Sequence, residues 1–194
     1  MNKILKNALI LTLITLISGL GLGFVYEVTK DPIAAAQDAA KKEAWQAVFN
    51  EVDIEDFKAM DVDQKAADEA VKSLGIKASV EEVCEAGDEG FVVTTVDSEG
   101  YGGDIKITVG IKADGTVNGI SILSINETAG LGMKATEPEF YEQYQGKQTD
   151  NFYVSKDGGE GEAINAISGA TFTSRAVTGA VNTALVYFQT ALAE

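Results

Sequence analysis

The first pattern along the chain is an uninterrupted apolar run. Asn7 to Tyr26 reads NALILTLITLISGLGLGFVY and carries no charged side chain. At about 20 residues it is long enough to cross the hydrocarbon core of a bilayer as a helix. Thr12, Thr15 and Ser18 can bond back to their own helix backbone, so they do not oppose insertion. Lys3 and Lys6 precede the run, and Glu27 and Asp31 follow it. The lysine bias predicts a cytoplasmic N-terminus, with everything after Tyr26 on the outer face of the cell membrane, held by a single span. A cleaved signal peptide is the competing reading, but its apolar region would be shorter, and Gly21 to Tyr26 offers a weak cleavage site. Gly19, Gly21 and Gly23 either permit close helix packing, as suits a component of a membrane complex, or are incidental.

Beyond the apolar run the periodicity changes twice. Pro32 stands near the start of a helical stretch, where its missing N–H costs little. Ala34 to Asn50 is alanine-rich, with Trp45, Val48 and Phe49 as its apolar positions, and a second helical stretch covers Asp63 to Leu74 before Gly75. From Val80 the period becomes two. Phe91 to Asp97 alternates and is β-branched, and Gly100-Tyr101-Gly102-Gly103 is a turn. Asp104 to Lys112 puts Ile105, Ile107, Val109 and Ile111 on one face. Asp114-Gly115 signals a hairpin turn, and Val117 to Ile125 is the return strand. A short helix is expected over Glu139 to Gln145, and a polar mobile loop or hairpin over Gly146 to Ile164. The last element is an amphipathic helix with Ala176, Val177, Ala180, Val181, Ala184, Leu185, Phe188, Ala191 and Leu192 in one stripe. The predicted fold class is α+β: a small antiparallel sheet packed with helices, preceded by one N-terminal transmembrane helix. The predicted organisation is a tip and anchor over residues 1–30, a helical membrane-proximal segment over 31–80 and a folded domain over 81–194.

Charge and composition narrow the chemistry. All 30 acidic residues of the 194-residue chain lie at Glu27 or later, and the net charge is -15. Such a surface repels phosphate backbones, so nucleic acid is not an expected partner. The acidity either keeps the domain soluble or provides a docking face. Histidine is absent, which excludes a His-dependent hydrolase or zinc enzyme. Cys84 is the one cysteine, so an internal disulfide, a Cys-x-x-Cys pair and an iron–sulfur cluster within the chain are excluded. It is expected as a small buried hydrophobe. Chemistry must come from an organic cofactor or from carboxylates and hydroxyls.

The candidate for that chemistry is Ser168-Gly169-Ala170-Thr171-Phe172-Thr173-Ser174, just before the final amphipathic stripe. Hydroxyls in this position are ordinary helix caps. The alternative is a phosphate site: Gly169 allows close backbone approach, and the following helix offers free N–H groups and a positive dipole end. Arg175 either assists or is a solvated surface residue.

The run SGATFTS followed by Arg175-Ala176-Val177 resembles the flavinylation motif of the FMN-binding domain family. That family includes the G component of the Rnf electron-transport complex and the C component of the sodium-pumping NADH:quinone reductase. The resemblance implies that Thr171 carries FMN covalently through a phosphoester, added by a dedicated flavin transferase. Asn165 stands where the family motif has aspartate. Asn126-Glu127-Thr128-Ala129-Gly130-Leu131-Gly132 resembles the family's Glu-Thr-Pro-Gly-Leu-Gly loop near the flavin ring, with Ala129 in place of proline. Tyr101 matches an aromatic position near the same ring. The implied cofactor-binding set is Thr171 with Ser168, Gly169, Ala170, Thr173, Ser174, Glu127, Thr128, Gly130, Leu131, Gly132 and Tyr101, with no catalytic residue and no metal ligand. Length and single anchor look more like the Rnf component than the quinone-reductase one. The implied role is an electron relay in a membrane complex that moves electrons between ferredoxin and NAD and pumps sodium ions or protons. As one part of such a complex it would complete no reaction alone. The alternatives are a flavin carrier of the quinone-reductase type and a flavin-free tethered binding or sensor domain.

Overall fold

A computed structural model describes residues 2–193. They fall into two compact units that divide between Ala40 and Lys41.

The first unit is helical. It consists of α1 (Lys3–Val48) up to Ala40, residues 41–48 of that helix being counted with the second unit. The helix runs through both stretches that the pattern separates, with Pro32 inside it rather than in its first turn. No glycine follows Tyr26 before Gly75, and the flanking Ala, Gln, Lys and Glu residues are strong helix formers. One missing N–H, a local cost of about 3 kcal/mol, does not break it. The Thr12 and Thr15 hydroxyls donate to the carbonyls of Ala8 and Leu11 at 3.0 and 3.1 Å, as expected of hydroxyls in an apolar helix. This helix is long and apolar enough to cross a membrane, and none of its apolar window is buried.

The second unit is built on a five-stranded antiparallel sheet in sequential order: β1 (Phe57–Met60), β2 (Ala78–Ala86), β3 (Gly90–Gly100), β4 (Gly103–Lys112) and β5 (Val117–Ser124). The class is α+β, as the pattern predicts. β3 and β4 pair from Gly90–Lys112 to Gly100–Gly103, so Tyr101 sits in the turn between them. One face of the sheet presents Val93, Ile105, Ile107, Val109 and Ile111 to a helical layer. In that layer, α2 (Gln64–Leu74) is capped by Asp63, which accepts from the N–H groups of Lys65 and Ala66. Gly75 ends it in the left-handed region at φ 67. The short helix expected near Glu139 is α3 (Pro138–Tyr141), which buries Phe140. Most of the cover comes from α4 (Thr171–Tyr187), through Ala176, Val177, Ala180, Val181 and Ala184.

The opposite face holds a second, smaller core of Trp45, Val48, Phe49, Val52, Phe57, Cys84, Ala86 and Val92. Two glycines make room for it. Gly110 and Gly119 are cross-strand partners in β4 and β5, and a Cβ on Gly110 would lie 2.8 Å from that of Val48. Burial pushes the Cys84 thiol up to about 12, so it packs as a hydrophobe and does not react near neutrality.

Three parts of this unit depart from what the pattern predicts or leave no pattern to read. β1 buries only its first residue, so it has no alternation. A bulge between Val80 and Glu82 shifts the register of β2 by one, which breaks its period of two. In place of a mobile loop or hairpin, residues 152–154 (β6) and 162–164 (β7) form a parallel two-stranded pair. β6 is held from outside: the Asn182 carbonyl oxygen accepts from the Phe152 N–H at 2.9 Å, and its amide donates to the Phe152 carbonyl at 2.8 Å.

Asp97, in β3, is 1% exposed and lies under Gly179 of α4, where a Cβ would come within 2.8 Å of its Oδ2. Oδ1 accepts from the Glu99 N–H, while Oδ2 has no partner among the described residues. Burial raises the carboxyl from 3.8 to about 6. A carboxyl raised in the folded state contributes stability fully below its unfolded value, and that contribution is lost as pH rises through the folded value. The protein is therefore expected to lose stability as pH rises from 3.8 to about 6. Asp97→Asn should remove that slope and raise stability at neutral pH by roughly 1–2 kcal/mol, less than the full burial penalty because the new amide is itself buried without a partner. Urea titrations in mildly acidic and neutral buffer check this, and a variant that is less stable at neutral pH contradicts it.

Candidate functional site

The motif run forms the start of α4. Gly169, at φ 79, turns the chain in the left-handed region, and a Cβ there would meet Leu131 Cδ2 at 3.1 Å. Ala170 is the N-cap, and no side chain caps the helix. The ordinary capping reading of the hydroxyls therefore does not hold. The first intrahelical bond runs from the Ser174 N–H to the Ala170 carbonyl at 3.0 Å. The amides of Thr171, Phe172 and Thr173 thus belong to the open, electropositive end of the helix.

The hydroxyls divide by burial. Thr173 and Ser174 are 1% and 0% exposed. Ser174 Oγ accepts from the Ile167 N–H at 3.0 Å and donates to the Ala170 carbonyl at 2.9 Å, so it braces the turn from inside. Both side chains are packed inside the unit. Ser168 is exposed and Thr171 half-buried, and Thr171 is the first helical residue.

The loop after β5 comes to the same place. Glu127 Oε1 accepts from the Gly102 N–H at 3.2 Å, which ties the loop to the turn carrying Tyr101. The Thr128 carbonyl accepts from the Leu131 and Met133 N–H groups, with Gly130 at φ 75 in the bend. Gly132 is wedged between the two neighbours. A Cβ there would lie 2.7 Å from Glu127 Cβ and Oε2 and 2.7 Å from Thr173 Oγ1. Residues far apart in sequence, at 101, 127–132 and 168–174, thus form one continuous surface. Tyr101, Leu131 and Phe172 are 76%, 42% and 62% exposed. Among the described residues after Lys41, Met60 alone joins them as an exposed large hydrophobe. Two of these side chains lie beside the motif: Phe172 follows Thr171 in sequence, and Leu131 is against Gly169.

One contributor was not anticipated from the sequence. Lys156, in the turn after β6, donates from Nζ to Thr171 Oγ1 at 3.3 Å. Its neighbour Asp157 takes a two-pronged bond from Arg175, with Nε donating to Oδ2 at 2.8 Å and a second bond from the guanidinium NH2 group to Oδ1. That bond holds the Asp157 carboxyl below its ordinary range. Arg175 also lies over the Phe172 ring, 6.0 Å from its centroid. Arg175 is thus neither a free phosphate ligand nor a merely solvated residue: it fastens the 155–158 turn to α4. Nothing in a lone Lys within a polar segment signals this, because the contact depends on β6 being held by Asn182. Beside this turn a groove of about 650 Å³ runs along α4, lined by Phe152, Tyr153, Phe172, Arg175, Gly179 and Asn182 among others. Asn165 is exposed, and its N–H donates to Gln143 Oε1 at 2.7 Å.

The donor set suits a phosphoryl group esterified to Thr171. It combines uncapped amides, the positive helix end and one ammonium. The exposed apolar side chains suit a flat aromatic ring next to it.

Two family models match the chain. Residues 100–186 match a family model described as the FMN-binding domain, and residues 1–48 match one described as the RnfG N-terminal region. The chain is 32% identical over 184 residues to the G component of the proton-translocating ferredoxin:NAD(+) oxidoreductase complex of Clostridium ljungdahlii, across 95% of this chain and 91% of that protein. The chain belongs to the RnfG family. The G component of the Na(+)-translocating ferredoxin:NAD(+) oxidoreductase complex of Acetobacterium woodii is 33% identical over 196 residues, 96% of this chain and 92% of that protein. A crystal structure of Shewanella oneidensis NqrC aligns at 28% identity with a TM-score of 0.45, over 56% of this chain and 58% of that one. Within this RnfG-family chain, the FMN-binding match contains Tyr101, the 127–132 loop, Lys156 and Thr171. The N-terminal match ends at Val48, the last residue of α1.

Proposed function

We propose that this RnfG-family protein bears FMN in phosphoester linkage on Thr171. We read it as an electron relay within a membrane-bound, ion-translocating ferredoxin:NAD oxidoreductase complex. The observation that carries the reading is Thr171 itself. It is a half-buried hydroxyl at the open start of a 17-residue helix, faced by a lysine ammonium, with exposed Phe172 next to it and exposed Leu131 against Gly169. Bound FMN would supply the one- and two-electron chemistry. The chain's own residues do the rest. Thr171 would fix the phosphoryl group, the helix amides and Lys156 would neutralise it, and Leu131, Tyr101 and Phe172 would shield one side of the ring from water. A tether of this kind keeps the cofactor from being lost on the outer face, where the lysine bias of the N-terminus predicts the domain to lie. The partners on this reading are the other membrane components of the complex, together with a flavin transferase for maturation.

Full-length protein, extracted in detergent from membranes of a host with the transferase, should carry a flavin absorption spectrum that stays with the polypeptide through denaturation and acid precipitation. A colourless precipitate with all the flavin in the supernatant contradicts the reading.

A further inference from the structure

Lys156 stands out because the Asp157–Arg175 pair accounts for the other nearby cation. Arg175 lies one helical turn after Thr171, and its two bonds to Asp157 fasten the turn that follows β6. That turn is closed by the Asp157 N–H donating to the Val154 carbonyl at 2.8 Å. The residue preceding Asp157 is thereby carried to the helix start, where its ammonium donates to Thr171 Oγ1. Donation to that oxygen leaves the hydroxyl proton of Thr171 free to leave towards a base.

On this basis, and resting on the flavin reading above, we propose that Lys156 is the positioning residue for modification of Thr171, aimed by the Asp157–Arg175 pair and serving afterwards as counter-charge of the phosphoester. Attachment forms a Thr171 Oγ–P bond. It breaks the phosphoanhydride bond of an activated flavin diphosphate such as FAD, releases the nucleoside monophosphate, and passes the hydroxyl proton to a base of the transferase. An ammonium beside Oγ1 both orients the nucleophile and attracts the diphosphate, whose charge the rest of this acidic domain repels. No proton is taken up by Lys156 itself, since a charged ammonium only donates.

The test is a time course of FMN attachment on the full-length chain co-expressed with the transferase, read by intact mass. Lys156→Gln should slow attachment about tenfold, the usual worth of one charge-assisted hydrogen bond. Lys156→Arg should recover most of the rate. Asp157→Asn, which loosens the turn without touching Thr171, should fall between them. Thermal melting should barely change in any of the three, because Lys156 is exposed and the Asp157–Arg175 pair lies at the surface, where one ion pair is worth little. Attachment to Lys156→Gln at the wild-type rate overturns the proposal, as does an equal defect in Lys156→Gln and Lys156→Arg. A wild-type chain that gains no FMN mass sinks the flavin reading itself, which keeps the two failures apart.

Discussion

Thr171→Val is expected to leave the protein wholly without covalent flavin, whereas Thr173→Ala keeps it. The two threonines lie within one helical turn, and their sequence context hardly separates them. Their surroundings do. Thr171 is half-buried at the helix start with a lysine on its hydroxyl, while Thr173 is 1% exposed and its hydroxyl is packed against Gly132. Valine keeps the shape of threonine and removes only the acceptor oxygen. At a half-buried first-turn position it should shift stability by under about 1 kcal/mol. Loss of flavin in Thr171→Val therefore reports chemistry and not folding. Thr173→Ala empties a small buried volume and should cost about 1 kcal/mol, with flavin retained. In-gel flavin fluorescence on membranes expressed with the transferase reads both variants, and retention in Thr171→Val or loss in Thr173→Ala alone would reassign the acceptor.

Gly132→Ala should have the second-largest effect. The added methyl would meet three atoms at 2.7 Å, belonging to Glu127 and Thr173, in a loop whose far side is tied to the Tyr101 turn through Glu127. Glu127 Oε2 can swing aside, but Glu127 Cβ and the buried Thr173 hydroxyl cannot, so the loop must move away from the helix. The expected cost is about 1–3 kcal/mol, typical of overpacking, and the urea midpoint should fall without a change in slope. The same shift uncovers one side of the proposed flavin, so its emission should become more accessible to a soluble quencher. Unchanged urea midpoint and quenching would mean that the loop does not rest on Gly132.

Much of this could be read from residue order, and what could not has physical causes. The β3–β4–β5 meander was legible because Ile105, Ile107, Val109 and Ile111 alternate over a face that is buried, and because glycine-containing turns bound it. The loop at 127–132 and the run at 168–174 were legible as motifs, but only their shared position beside Gly132 shows that they touch. Their proposed chemistry rests on resemblance, since local physics alone reads the hydroxyls as helix caps, whereas Ala170 is the cap residue. β1 and β2 were obscured by one-residue burial and by the bulge at Val80. The β6–β7 pair and Lys156 were out of reach for a different reason. Three-residue strands carry no period, and their placement rests on the side chain of Asn182, which lies 30 residues away.

The most direct test of the central claim is the mass of the proteolytic peptide that contains Thr171, taken from full-length protein purified from membranes of a host with the transferase. This peptide should be heavier by one esterified FMN, with fragmentation placing the added mass on Thr171. An unmodified peptide, or the same mass located on Ser168 or Thr173, would contradict it.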